Sequence, residues 1–81
     1  MKIVKKIENG VLNVSISGRL DATTAPELDA EVSTNLNGIS QVIFDIKELE
    51  YVSSAGLRVI LKIKKTIPNT SVINASPEVY D

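Results

Sequence analysis

Gln41-Val-Ile-Phe-Asp-Ile46, then Lys47-Glu-Leu-Glu-Tyr-Val-Ser-Ser54, then Ala55-Gly-Leu-Arg-Val-Ile-Leu-Lys-Ile-Lys-Lys-Thr66 read as strand, loop and helix in direct succession. The apolar run Val42-Ile43-Phe44 is continuous rather than alternating. That pattern predicts a central strand covered on both faces, as in parallel sheets. In the helix, Val59, Ile60, Ile63 and Ile67 recur at the spacing of one buried face. Lys62, Lys64 and Lys65 load its C-terminal end, where the helix dipole favours cations. Pro68-Asn69 breaks the helix, and Ser71–Ala75 supplies a further strand.

Upstream, residues 2–7 and 11–17 both read as strands. Leu12, Val14 and Ile16 alternate with Asn13, Ser15 and Ser17, the period of a half-buried strand. Asn9-Gly10 between the two runs tolerates positive φ at both positions and predicts a tight hairpin. Residues 18–24 (GRLDATT) form a loop. Thr24 with Glu27 three residues later matches a capping box, and Pro26 falls in the first turn, where no amide donor is missed. The helix so opened runs to about Asn37, with Leu28, Val32 and Leu36 as its apolar stripe and Gly38 as its stop. The order strand, helix, strand, helix, strand implies two right-handed crossovers. The fold class is therefore α/β: a mostly parallel four-stranded sheet with an initial antiparallel hairpin and helices packed on it. The length suits a single domain, residues 1–81.

Composition excludes much chemistry. With no His and no Cys, the chain has no imidazole base, no thiol nucleophile, no disulfide and no ordinary zinc or haem ligand set. Neither a metal nor another cofactor is expected. Nine basic against ten acidic residues leave no electrostatic footprint for nucleic acid. Phe44, Tyr51 and Tyr80 are too few for a base-stacking platform. No apolar run approaches the roughly 18 residues that span a bilayer, so a soluble, cytoplasmic protein without membrane contact is expected. There is no GxxxxGK[ST] loop and no general base near neutral pKa, which argues against an enzyme.

The chemistry is expected where the third strand hands over to the second helix, because sites gather outside the carboxyl ends of parallel strands. Ser53 and Ser54 stand at the helix start, and one of them can cap it. Ala55 and Gly56 are small, so the hydroxyls need not be screened. An exposed serine there suits a phosphate, which meets free N–H groups and the positive end of the helix dipole. A plain helix cap is the competing reading. Asp45 closes the third strand and either accepts backbone hydrogen bonds or joins the site. Leu57 and Leu61 fall on the flank away from the Val59/Ile63/Ile67 stripe, as partner surface or core edge, and Arg58 is a partner contact or a solvated cation.

The sequence resembles the STAS domain family, and within it the stand-alone anti-sigma factor antagonists. The residues that carry the resemblance are Gly18-Arg-Leu-Asp21, Phe44-Asp45, Tyr51-Val-Ser-Ser-Ala-Gly-Leu57 and the approach to the C-terminus at residues 72–80. It covers nearly the whole chain. The resemblance implies that Ser54 is the phosphoacceptor, with Asp21 its neighbour and Ser53 and Gly56 in support. It implies partner switching. The unphosphorylated protein binds an anti-sigma factor that is also a serine kinase, phosphorylation releases it, and a phosphatase resets it. Leu57, Arg58 and Leu61 are the expected partner-binding residues. The alternative within the family is a binding or scaffold subunit of a transport or signalling complex that is not phosphorylated. Ser76-Pro77-Glu78 opens a helix, yet only Val79, Tyr80 and Asp81 follow. Family members finish with a full helix, so the expectation is a C-terminal helix missing or truncated and a homo-oligomer as one means of covering the apolar surface left bare.

Overall fold

A computed structural model describes residues 1–75. The expected helix opening at Ser76 lies outside them. Six elements follow one another: β1 (Lys2–Glu8), β2 (Val11–Leu20), α1 (Ala25–Ser33), β3 (Gln41–Val52), α2 (Ser54–Thr66) and β4 (Thr70–Ile73). They build one sheet in the order β1-β2-β3-β4. β1 and β2 are antiparallel, and β2, β3 and β4 are parallel. Asn9 and Gly10 both take positive φ, 52° and 77°, and close the hairpin between the paired residues Glu8 and Val11, as their types demand.

Each crossover steps to the next strand on the same side, β2 to β3 to β4. Two connections of the same hand then lay both helices on one face. Leu12, Val14 and Ile16 of β2 and Val42 and Phe44 of β3 point to that face and pack against Leu28 and Val32 of α1 and Ile60 and Ile63 of α2. The strand registers put Val4, Asn13, Ile43 and Ser71 on the other face. No helix among the described residues covers it. Ile43 is only half-buried, whereas Val42 and Phe44 are fully buried. The apolar run at 42–44 therefore does not mark a strand covered on both sides. A doubly covered parallel sheet needs a reversal of strand order, and this topology has none.

Further expectations are corrected. Residues 47–52 are not a loop but the second half of β3, and Gly18, Arg19 and Leu20 belong to β2. Ser15 pairs with Asp45 but Ser17 with Glu48, and Gly18 pairs with Leu49 but Arg19 with Tyr51. Each shift places one extra residue on β3, a bulge that breaks the alternation of sides. Hence Ile46 and Leu49 are buried while Lys47, Glu48, Glu50 and Tyr51 are exposed. Nor does Thr24 form a capping box. Its hydroxyl donates to the Arg19 carbonyl at 2.9 Å and accepts from the Asp21 N–H at 2.9 Å, so it makes no side-chain cap bond to α1. The Asp21 carbonyl instead accepts from the Ala25 N–H at 2.8 Å. α1 ends at Ser33, short of Asn37, because the Thr34 and Asn35 side chains donate back to the carbonyls of Ala30 and Glu31.

α1 and α2 are also linked through Asp29. Its carboxylate accepts from Ser33 Oγ at 2.6 Å and from Lys62 Nζ at 2.9 Å. The Ser33 hydroxyl first, and Lys62 second, hold the Asp29 carboxyl below the ordinary carboxylate range. A lowered folded-state pKa stabilises the fold above the ordinary aspartate value, and the contribution disappears as pH falls through the lowered one. The parent is expected to exceed Asp29→Asn in stability by less than about 1 kcal/mol at neutral pH, the pair being partly exposed. The two should converge as pH falls below about 4 in acid titrations followed by circular dichroism. A gap that persists to about pH 2 contradicts the assignment.

Candidate functional site

Leu20 and Val52 are paired at the ends of β2 and β3, so the chain leaves both strands side by side, at Asp21 and at Ser53. The Ser53 N–H donates to the Leu20 carbonyl at 2.8 Å, which fastens the two exits together. Ser53 is extended, φ −93° and ψ 173°, and its Oγ accepts from the Gly56 N–H at 3.4 Å. Ser53 is thus the N-cap of α2, and Ser54 is the first helical residue, its side chain exposed. The structure makes Ser53 the cap, where the helix-start residues by themselves offered either serine.

Gly56 is buried against the end of β2. A Cβ at this position would lie 2.5 Å from Leu20 Cγ, 2.8 Å from Leu20 Cδ2 and 3.1 Å from Val52 Cγ2. Glycine is therefore required by close approach, not by its backbone angles, and it lets the mouth of α2 sit down on the paired strand ends. Further along α2, residues at helical spacing share a side. Ser54, Leu57, Arg58, Leu61 and Lys65 run down the outer one and are exposed, Leu57 and Leu61 at 49% and 57%. Arg58, Leu61, Lys62, Lys65 and Thr66 line a shallow groove there. α2 has no acidic residue among its thirteen.

Asp21 sits in the adjoining loop. Its Oδ1 accepts from the Thr23 hydroxyl at 2.6 Å, the Thr23 N–H at 3.0 Å and the Thr24 N–H at 3.3 Å. The Thr23 hydroxyl is foremost among the groups that hold its carboxyl below the ordinary range. Its second oxygen is 3.9 Å from Arg19 Nε, and the Arg19 guanidinium lies over the Tyr51 ring at 4.4 Å. Arg19 and Tyr51 are cross-strand partners beside the site. Sequence reasoning did not single them out, although both stand in the segments that carry the family resemblance. Only the bulged register brings them face to face.

Asp45 stays apart. β3 continues seven residues beyond it to Val52, about 20 Å of strand. Its Oδ1 accepts from Asn74 Nδ2 at 3.0 Å and from the Lys47 N–H at 3.1 Å. Asn74 first, then the Lys47 N–H, lowers its pKa. Asp45 thus joins β3 to the end of β4 and does not meet Ser54. Among the described residues no cluster of three or more Asp or Glu could hold a metal ion, and no helix is long and apolar enough to cross a membrane.

Comparison with known proteins bears on the family and the fold. The family model described as the STAS domain matches residues 2–81. An anti-sigma factor antagonist of Bordetella bronchiseptica, BtrV, is 34% identical over 68 residues, covering 83% of this chain and 59% of its own. The chain therefore spans less than two thirds of the length of that relative. Among solved structures, an anti-sigma factor antagonist from Mycobacterium paratuberculosis superimposes with a TM-score of 0.84 at 22% identity, over 98% of this chain and 71% of the other. SpoIIAA in its unphosphorylated form gives 0.80 at 18% identity, over 94% and 76%. At these identities the two structures establish the fold: a four-stranded mixed sheet that begins with an antiparallel hairpin.

Proposed function

The chain belongs to the STAS domain family, and on that premise we propose that it is an anti-sigma factor antagonist switched by phosphorylation of Ser54. The observation that carries the reading is the division of labour at the mouth of α2. Ser53 does the capping, and Ser54 stands exposed at the head of a face formed by Leu57, Arg58 and Leu61. In the unmodified protein that face docks on an anti-sigma factor, which releases its sigma factor. The anti-sigma factor is also a serine kinase. The Ser54 Oγ attacks the γ-phosphorus of ATP, an O–P bond forms, the bond to the β-phosphate oxygen breaks, and ADP leaves with the hydroxyl proton lost to solvent or a kinase base. A phosphatase hydrolyses the ester and restores the hydroxyl. The domain acts throughout as substrate and ligand, not as the enzyme, and works in the cytoplasm without touching nucleic acid. Asp21 and Ser53 hold the two strand exits that frame the acceptor, and Gly56 sets the height of the helix.

The test is incubation of the protein with ATP and the anti-sigma factor kinase of its own cell. The expected result is the mass gain of a single phosphate, present in the parent and absent in Ser54→Ala. A gain that survives Ser54→Ala moves the acceptor elsewhere. No gain, with partner binding intact, favours the scaffold alternative.

A further inference from the structure

We propose that phosphorylated Ser54 is held by Arg58, so that modification withdraws a cation from the docking face as well as adding an anion to it. The inference rests on Ser54 being the phosphoacceptor and specifies how the modification is read.

Ser54 is the first residue of α2 and Arg58 the fifth. Residues four apart are neighbours on a helix surface, about 5–6 Å between Cβ atoms. Helical side chains lean toward the N-terminus, so Arg58 extends over the turn that carries Ser54. Both are exposed. Among the described residues the ion pairs engage Lys5, Lys6, Arg19 and Lys62, and Arg58 is in none of them. With no carboxylate on α2, nothing on the helix competes for it. A phosphoserine brings about −1.5 to −2 charge, and the planar guanidinium fork matches two phosphate oxygens at once. In the unmodified chain Arg58 lines the outer groove together with Leu61 and is open to a carboxylate of a docking protein. Once the phosphate is in place, Arg58 pairs with it across the first turn of the helix. That end of the face passes from about one positive charge to roughly one negative.

The test needs no kinase. Phosphoserine is installed at position 54 during synthesis, and its second ionisation is followed by phosphorus NMR. For a free phosphoserine this falls near pH ~6. Loss of the pair is expected to raise it by about 0.15–0.35 pH units in Arg58→Gln, with Arg58→Lys between that variant and the parent. Lys65→Gln removes the same charge from the same face about 16 Å away along the axis, and should shift it by less than about 0.1 unit through screening. Equal titrations in parent and Arg58→Gln overturn the proposal. So does an equal shift in Lys65→Gln, which marks a general field rather than a pair. Failure of the kinase experiment overturns the assignment of Ser54 and leaves this titration unaffected, so the two ideas fail separately.

Discussion

Gly56→Val is expected to lower stability by about 3 kcal/mol, roughly a quarter or more of what a chain of this size has to lose. The first added carbon already falls 2.5 Å from Leu20 Cγ, and valine branches at that carbon. Leu20 is fully buried, and the atom met is its branch point rather than the free end of a side chain, so it has no solvent to move into. Gly56→Ala weighs two opposed effects. Alanine gains up to about 1 kcal/mol in helix propensity, while overpacking costs roughly 1–3 kcal/mol. The clash should win, and Gly56→Ala should be destabilised, more mildly than valine. Urea unfolding gives the measurement: midpoints should fall with little change in slope. Combining Gly56→Val with Leu20→Ala should cost less than the sum of the two by roughly 1–3 kcal/mol, because the second change removes the atoms that the first one hits. Strict additivity would mean that helix and strand end do not touch as described.

The second large effect falls on binding. Phosphorylation of Ser54 is expected to weaken the complex with the cognate anti-sigma factor by a factor on the order of 100, about 3 kcal/mol. A dianion within a contact surface must be stripped of water and repels any carboxylate that faces it. Here the acceptor stands at the head of the exposed Leu57 and Leu61 face, so its charge falls on the surface proposed to dock. Titration calorimetry of the unmodified and phosphorylated forms measures the ratio. Ser54→Ala should bind like the unmodified protein and Ser54→Asp more weakly than either. Equal affinity of the two phosphorylation states rules out a switch at this residue.

Much of the fold follows from short-range signals. Asn9-Gly10 calls for a tight hairpin, the Val59, Ile60 and Ile63 spacing for a one-sided helix, and both are present. What escaped was non-local. The two bulges of β3 put Lys47 with Glu48, and Glu50 with Tyr51, in consecutive exposed positions, so a strand of twelve residues imitates a six-residue strand and a loop. The partnership that creates each bulge lies on β2, about thirty residues away, where no local pattern can register it. Thr24 and Glu27 have the residue types of a capping box, yet the Arg19 carbonyl takes the threonine hydroxyl first. At the site, the types and order of Ser53, Ser54 and Gly56 were legible and the resemblance implied their roles, but the packing that makes Ser53 the cap and requires glycine at 56 was not. Which serine caps depends on the Leu20 carbonyl that holds Ser53, and the need for glycine depends on Leu20 itself.

In this sheet every strand after β1 is hydrogen-bonded to the one made just before it. As the chain emerges from the ribosome, each strand finds its template already standing, and no segment has to wait for a distant partner to be synthesised. The separations to be closed are a two-residue turn and two single-helix crossovers, each crossover the least that a parallel pairing requires. Assembly from the first strand to the last matches the direction of translation.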